Sequence, residues 1–192
     1  MRHASRLLIL IAIVATVVSL ANAAPFAVFP QAGQLVSPDR RFVVRTAGRD
    51  AAATDFSGAL DSLWLTDLVT GTSRKLCEYY SVAAVAWSGN DTVLVTQYLG
   101  KKSARALVFS VTHPEDTVVL DQPTLAHFAP LQLRPALREN SHVFVEASYL
   151  EAGTFHVHVW GYGAHDPGGF RWACAYELRE GALSCSEEHS GK

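Results

Sequence analysis

After residue 23, the chain is filled by short runs of alternating apolar and polar residues, separated by Gly, Pro, Asn and Asp. Runs rich in Val, Leu, Phe, Tyr, Trp and Thr are typical of β-strands, because successive side chains of a strand face opposite sides of a sheet. Patterning of helical period is almost absent. The pattern predicts an all-β fold with strands over 26–29, 41–46, 62–67, 73–77, 82–87, 92–98, 105–111, 116–120, 130–134, 142–149, 154–160, 171–178 and 182–186.

Three stretches, 36–45, 87–96 and 137–146, resemble one another at a spacing of about fifty residues, and each joins a turn to an apolar strand. A second shared feature is an outer hairpin, with Asp67 and Gly71 in the first copy matching Glu177 and Gly181 in the third. This period indicates repeated four-stranded units. We therefore predict a propeller-like array of about three four-stranded antiparallel blades.

Closed propellers typically have about 4–8 blades, so three blades leave several architectures open. A fourth blade hidden by divergence is one, and an open arc is another. Two chains could also close a six-bladed ring as a C2 dimer. A β-sandwich is the alternative fold, because many short strands with regular turns fit it too.

The order of motifs over about 36–96 resembles the TolB-like (WD-type) propeller repeat. It runs from Ser37-Pro38-Asp39-Arg40 through the strand and hairpin at 63–71 to Val85-Ala86-Trp87-Ser88. That family shows Ser-Pro-Asp-Gly before an inner strand and Asp-x-x-x-Gly in a later hairpin, and Arg40 stands where the family has Gly. The resemblance implies a propeller blade and, as its natural use, protein–protein contact. A blade motif by itself carries fold information only.

The first residues predict an export signal. Arg2 and Arg6 precede an apolar stretch over 7–20, and Ala21-Asn22-Ala23 has the small-x-small pattern of a cleavage site. The alternative is an uncleaved anchor, but the apolar stretch is shorter than the roughly 20 residues of a spanning helix. We expect a signal peptide over 1–23, a single all-β domain over 24–192 and a periplasmic or secreted location.

Charge and cysteine content narrow the partners and the compartment. The formal net charge is −2, and Lys and Arg form no dense cluster, which argues against nucleic acid and, after signal cleavage, membrane as partners. A turn over 178–181 would place Cys174 opposite Cys185, so a disulfide is predicted between them, consistent with an exported protein. Cys77 is left over, as a buried thiol or an intermolecular link.

The longest Gly-rich loop, 161–170, is flanked by aromatic residues and predicts a surface for a peptide or a sugar; the alternative is a flexible hairpin connection. The predicted binding residues are Trp160, Tyr162, His165, Asp166 and Phe170.

His156 and His158 lie two apart in a strand, so alternation puts both imidazoles on one face. They are candidate zinc or copper ligands if His142 or His165 supplies a third. The alternative is the polar face of an amphipathic strand. Asp39, Asp67 and Asp91 recur near turns and are expected to cap turn N–H groups.

Known catalytic motifs are absent: the sequence has no Gly-x-Ser-x-Gly elbow and no His-Glu-x-x-His. No cofactor is predicted. The leading hypothesis is an exported, non-catalytic binding or scaffolding protein that contacts other proteins, or a second copy of itself, through blade loops. The alternative is a periplasmic hydrolase or metal-binding protein with a His/Asp site near 156–166.

Overall fold

The structure is a computed structural model that describes residues 25–47, 60–131, 134–163 and 168–188. Thirteen strands and two short α-helices lie in these ranges. The strands are β1 Phe26–Phe29, β2 Gln34–Val36, β3 Phe42–Thr46, β4 Asp61–Asp67, β5 Ser73–Tyr79, β6 Ala83–Ser88, β7 Thr92–Tyr98, β8 Ser103–Ser110, β9 Val118–Leu120, β10 His142–Glu151, β11 Thr154–Tyr162, β12 Phe170–Glu177 and β13 Ala182–Glu187. The helices are α1 Gln122–Phe128 and α2 Arg134–Glu139. Neither of these helices, nor any other in the described ranges, is long and apolar enough to cross a membrane.

The all-β prediction is confirmed, and the strands form three four-stranded antiparallel units. The first unit is the sheet β2-β3-β4-β5. The second unit runs β6-β7-β8-β9, with β1 added beside β6, and the third runs β10-β11-β12-β13. A short parallel pairing of β8 with β10, at Ser103–Val143 and Ala104–Phe144, joins the second and third units into one nine-stranded sheet.

Two hydrophobic clusters pack the units face to face. The first lies between the first and second units, where Val44 and Leu63 meet Trp87 and Val95. The second lies between the second and third units and also takes in one apolar side of each helix; its members include Leu94, Val108, Leu125, Leu137, Val145, Phe155 and Val157. Burying each large apolar side chain stabilises the fold by about 1.5–3 kcal/mol relative to leaving it exposed. The second unit is therefore buried on both faces.

Turn chemistry predicted from the sequence explains how the first unit folds. The Asp39 carboxylate accepts hydrogen bonds from the Ser37 hydroxyl (2.6 Å) and the Arg41 N–H (3.0 Å). Asp67 accepts from the Val69 N–H at 2.8 Å and makes an ion pair with Arg41 at 3.2 Å. Both aspartates thus cap turns as expected. Asp91 differs, because its carboxylate accepts from the Thr92 hydroxyl.

The predicted outer hairpins are equivalent in the structure. The Gly71 N–H donates to the Asp67 carbonyl and the Gly181 N–H donates to the Glu177 carbonyl, each at 2.8 Å. Both glycines have positive φ, 72° and 65°, as this turn requires. The third and fourth strands of the first and third units therefore correspond, as the sequence match predicted.

Two sequence predictions are wrong in this part of the chain. The predicted strand over 130–134 fails because Arg134 begins α2. The third repeat copy is out of phase: Leu137 lies in α2, and His142 begins the first strand of its unit. In the first two copies, by contrast, the turn joins the first strand to the second. The turn in that place in the third unit lies between Glu151 and Thr154.

Candidate functional site: the exposed face of the third unit

Strand alternation gives the third unit one buried face and one open face. On β11, Phe155, Val157 and Val159 are buried against the second cluster. The residues between them point the other way, toward the open side, and His158 has a side chain 51% exposed. We call this surface the ladder face, defined by the β10 and β11 residues His142, Phe144, Glu146, Tyr149, His156, His158, Trp160 and Tyr162.

Ring stacking between β10 and β11 orders the ladder face. His142 lies opposite Tyr162 with ring centroids 4.5 Å apart, and Phe144 lies opposite Trp160 at 4.0 Å. At the other end, past a β-bulge between Ala147 and Tyr149, the Tyr149 ring stacks on His156.

These pairs contribute roughly 0.2–1 kcal/mol each as cross-strand contacts. The two outer pairs stay open to solvent, since Tyr149 is 48% exposed and Tyr162 is 41% exposed, whereas Phe144 in the middle pair is buried. The result is a pre-ordered aromatic surface with few side-chain rotamers left to restrict on binding.

A charged cleft of about 280 Å³ lies between the Phe144–Trp160 pair and the Tyr149–His156 pair. Here Glu146 lies opposite His158, and the His158 Nδ1 is 2.7 Å from the Glu188 Oε1. Arg171 and Trp160 complete the polar and aromatic lining. The cleft therefore presents two carboxylates, one guanidinium and one imidazole beside the Trp160 indole.

The second unit supports the cleft from beneath. The hydroxyl of Tyr98, at the end of β7, donates a hydrogen bond to the Glu146 carboxylate at 2.7 Å. Burial, together with this hydrogen bond, raises the pKa of Tyr98 well above its ordinary value. The tyrosine thus stays a hydrogen-bond donor and fixes the position of Glu146.

Close backbone packing at Gly161 positions the top of the ladder face. A Cβ at this position would lie 2.5 Å from the His142 carbonyl oxygen and 2.7 Å from the Phe170 ring. Only glycine fits between them. The Phe170 ring can therefore cover β11 from the inner side, while Tyr162 remains opposite His142 on the outer side.

The predicted binding residues divide into three groups. Trp160 and Tyr162 share the ladder face. Phe170 packs instead with Trp172 against the second cluster, with ring centroids 4.4 Å apart. His165 and Asp166 lie outside the described residues.

His156 and His158 lie on one face, as alternation predicted, but each has its own neighbour. His156 stacks on Tyr149, and His158 pairs with Glu188. Among the described residues, a group of three ligands within 4.8 Å of one another is formed only by His113, Glu115 and Asp116, on an exposed turn. The metal site at His156 and His158 stays a prediction, whose third ligand the described residues do not supply.

From the β10 half of this surface, the sequence analysis named only His142, as a possible metal ligand, and missed Phe144, Glu146 and Tyr149. His142, Phe144 and Glu146 alternate with the buried Val143 and Val145. The same alternation rule that placed the β11 histidines would have placed these side chains outward. Only the pairing register, which the sequence does not reveal, shows that they oppose Tyr162, Trp160 and His158.

The predicted disulfide is present. Cys174 on β12 is paired directly opposite Cys185 on β13, and their sulfur atoms are bonded. Cys77 is free and buried in the first cluster, where burial raises the pKa of its thiol to about 12. Between the two alternatives for Cys77, the buried thiol is therefore the one observed.

Comparison with known proteins supports the fold. No protein-family model and no curated protein matches the sequence. The structure is similar to the β-propeller domain of the Trilobed protease from Pyrococcus furiosus, which has an open velcro topology. The TM-score is 0.50 at 14% sequence identity, and the match covers 81% of this chain and 42% of that one. The likeness shows a propeller-like fold, and this chain spans less than half the length of the similar domain.

Proposed function

We propose that this chain is an exported, non-catalytic binding or scaffolding protein that contacts another protein through the ladder face. The observation that carries the proposal is the partly exposed row of stacked aromatic and imidazole rings on β10 and β11. Trp, Tyr and Arg are the residues most enriched among those that dominate protein–protein binding energy. Here Trp160 and Arg171 line one cleft, and the Tyr162 ring lies next to that of Trp160, with ring centroids 6.3 Å apart.

Pre-ordering strengthens the case for binding. Association costs about 0.5–1.5 kcal/mol for each flexible side chain that becomes fixed. The rungs are already stacked, and Glu146 is already held by Tyr98, so little of this cost is left. The loop surface predicted from the sequence joins the ladder face at Tyr162. The resemblance to TolB-like repeats agrees with protein contact, and the disulfide agrees with export.

Site-specific photo-crosslinking tests this function. A benzophenone amino acid at position 162, in the chain produced by its own source cells, should give a discrete protein adduct. A matched probe at Val69, which is 79% exposed on the β4–β5 turn, should not give that adduct. Trp160→Ala should reduce the adduct at least tenfold. The absence of any adduct at position 162, or the same adduct at both positions, would contradict the proposal.

A second candidate, a metal-binding protein or hydrolase using His156 and His158, is favoured by one observation. Glu188 orients the His158 imidazole inside the cleft, as carboxylates do for metal-bound or basic histidines. Calorimetric titration with Zn²⁺ tests it. Stoichiometric binding that His158→Ala abolishes would support a metal site, whereas the absence of binding heat leaves the protein-binding function in place.

A further inference from the structure

The three units form a stack with two unequal ends. The second unit has both faces covered, by the first and second hydrophobic clusters. Among the described residues, no other unit covers the remaining face of the first unit or of the third. At one end this is the ladder face. At the other it is the side of the first unit opposite the first cluster, which we call the first-unit outer face and define by Val36, Arg45, Trp64 and Lys75.

Register places a cation on each side of an indole on the first-unit outer face. Arg45 on β3 and Lys75 on β5 are both direct partners of Trp64 on β4. Lys75 also pairs with Glu78, so this face carries a net positive charge through Arg45. The cleft on the ladder face is lined by Glu146, Glu188 and Arg171, which gives the opposite net sign when His158 is neutral.

The number of units decides whether one chain can form a closed ring. Closed propellers have about 4–8 blades, so three units cannot close on themselves. The similar propeller domain is more than twice as long as the part this chain matches, which covers 42% of it. Two copies of this chain would supply six units.

We propose that the occupant of the ladder face is the first-unit outer face of a second copy of this chain. Two copies arranged head to tail close a six-unit ring around one twofold axis, with two identical contacts between oppositely charged faces. This inference rests on the proposed function, since it names the protein that the ladder face binds.

Light scattering after size exclusion, on the exported full chain, provides the test. The wild-type protein should have the mass of a dimer. Tyr162→Glu on the ladder face and Arg45→Glu on the first-unit outer face should each raise the dimer Kd at least tenfold. Val69→Glu, on a turn outside both faces, should leave it unchanged. Circular dichroism and the intact Cys174–Cys185 disulfide show that each variant is folded.

Mixing the two defective variants gives the decisive result. In the ring, both contacts of either variant homodimer carry a substitution, whereas a heterodimer of Tyr162→Glu with Arg45→Glu keeps one contact fully wild type. Because each introduced Glu is expected to break its own contact, the mixture should form more dimer than either variant alone, with the affinity of a single contact. A mixture that stays monomeric overturns the ring. So does an Arg45→Glu variant that dimerises normally, which would point to contact between two ladder faces.

A monomeric wild-type protein also overturns the ring but leaves the proposed function testable. In that case the crosslink at position 162 should trap a different protein. The mass of the adduct separates the two failures, because a second copy of this chain gives twice the monomer mass.

Discussion

Arg40 occupies a backbone conformation that suits glycine. Its φ is 60°, at the end of the turn that begins at Ser37, and its N–H donates to the Ser37 carbonyl at 2.9 Å. The TolB-like repeats that this segment resembles carry Gly at this place. The left-handed conformation costs an L-residue about 1–2 kcal/mol, because Cβ approaches the backbone oxygen.

We expect Arg40→Gly to raise the free energy of unfolding by about 1 kcal/mol, measured by urea denaturation. The matched control is Arg45→Gly, which makes the same chemical change in the extended strand β3. This control should lower stability, because glycine in a strand gains unfolded-state entropy. A loss of stability in Arg40→Gly would show that the turn does not impose the strain.

Asp39 should make stability depend on acid pH. The Ser37 hydroxyl and then the Arg41 N–H hold the pKa of Asp39 below its ordinary value of 3.8. A carboxyl with a lowered folded-state pKa stabilises the fold above its unfolded-state pKa. That contribution is lost as pH falls through the folded-state value.

Asp39→Asn should therefore reduce stability at pH 7, and the difference from wild type should shrink as pH falls from about 4 toward 2. Urea denaturation at a series of pH values measures this difference. The Arg40→Gly gain, which involves no carboxylate, should not follow the same trend. A difference that is as large at pH 2 as at pH 7 would rule out this role for Asp39.

At the scale of the element, the strands could be read from the sequence and the helices could not. Alternation predicted that the β11 histidines share one face, and the hairpin match predicted that Gly71 and Gly181 occupy equivalent turns, where both have positive φ. The two helices span less than two full turns each, too short for a helical period to show. Asp121 caps α1 by accepting the Thr124 N–H at 2.9 Å, and Pro123 lies in the first turn of the helix.

The sequence did not predict which strand pairs with β11, and so it did not predict the β10 half of the ladder face. Alternation within β11 fixed which of its residues share a face, but not which strand lies alongside. Phe170 was predicted to bind because it lies next to the Gly-rich loop, but its pairing with Gly161 puts its ring on the inner side. Pairing between strands distant in sequence decides the site, and a single sequence carries little signal for it.

The hairpin β12–β13 provides the prediction at this scale. The disulfide closes a loop with a sequence separation of 11 and ties the last described strand to the sheet. Replacing both Cys174 and Cys185 by Ser should lower the free energy of unfolding by about 2–4 kcal/mol. Reductant should destabilise the wild-type protein similarly and leave the double variant unchanged. If reductant had no effect on the wild type, the disulfide would contribute nothing to the stability of the fold.

For the whole molecule, the repeat was predicted correctly in kind and incorrectly in phase. The first two turn-to-strand copies lead into the second strand of their units. The third copy leads from α2 into β10, which is the first strand of its unit. Residues 142–146 therefore resemble the repeat in sequence but do not occupy the equivalent strand. The parallel pairing of β8 with β10, which joins two units, has no counterpart in the sequence pattern.

The order of the stack predicts a gradient of stability. The second unit is covered on both faces, with Val85, Val93 and Val95 inaccessible to solvent on one side and Leu94 buried on the other. Amide hydrogen exchange followed by mass spectrometry should therefore be slowest in β7 and fastest in the edge strands β2 and β13. Equal protection of β7 and β13 would contradict the stacked arrangement.

The fluorescence of Trp160, whose ring stacks on Phe144, should report binding at the ladder face. Trp87 and Trp172 are buried in the fold and Trp64 lies on the distant first unit, whereas the partly exposed Trp160 indole lines the charged cleft. Any molecule that settles there must displace water from this ring and shift its ultraviolet fluorescence. Occupancy of the surface can thus be followed with no dye attached and no knowledge of what has arrived.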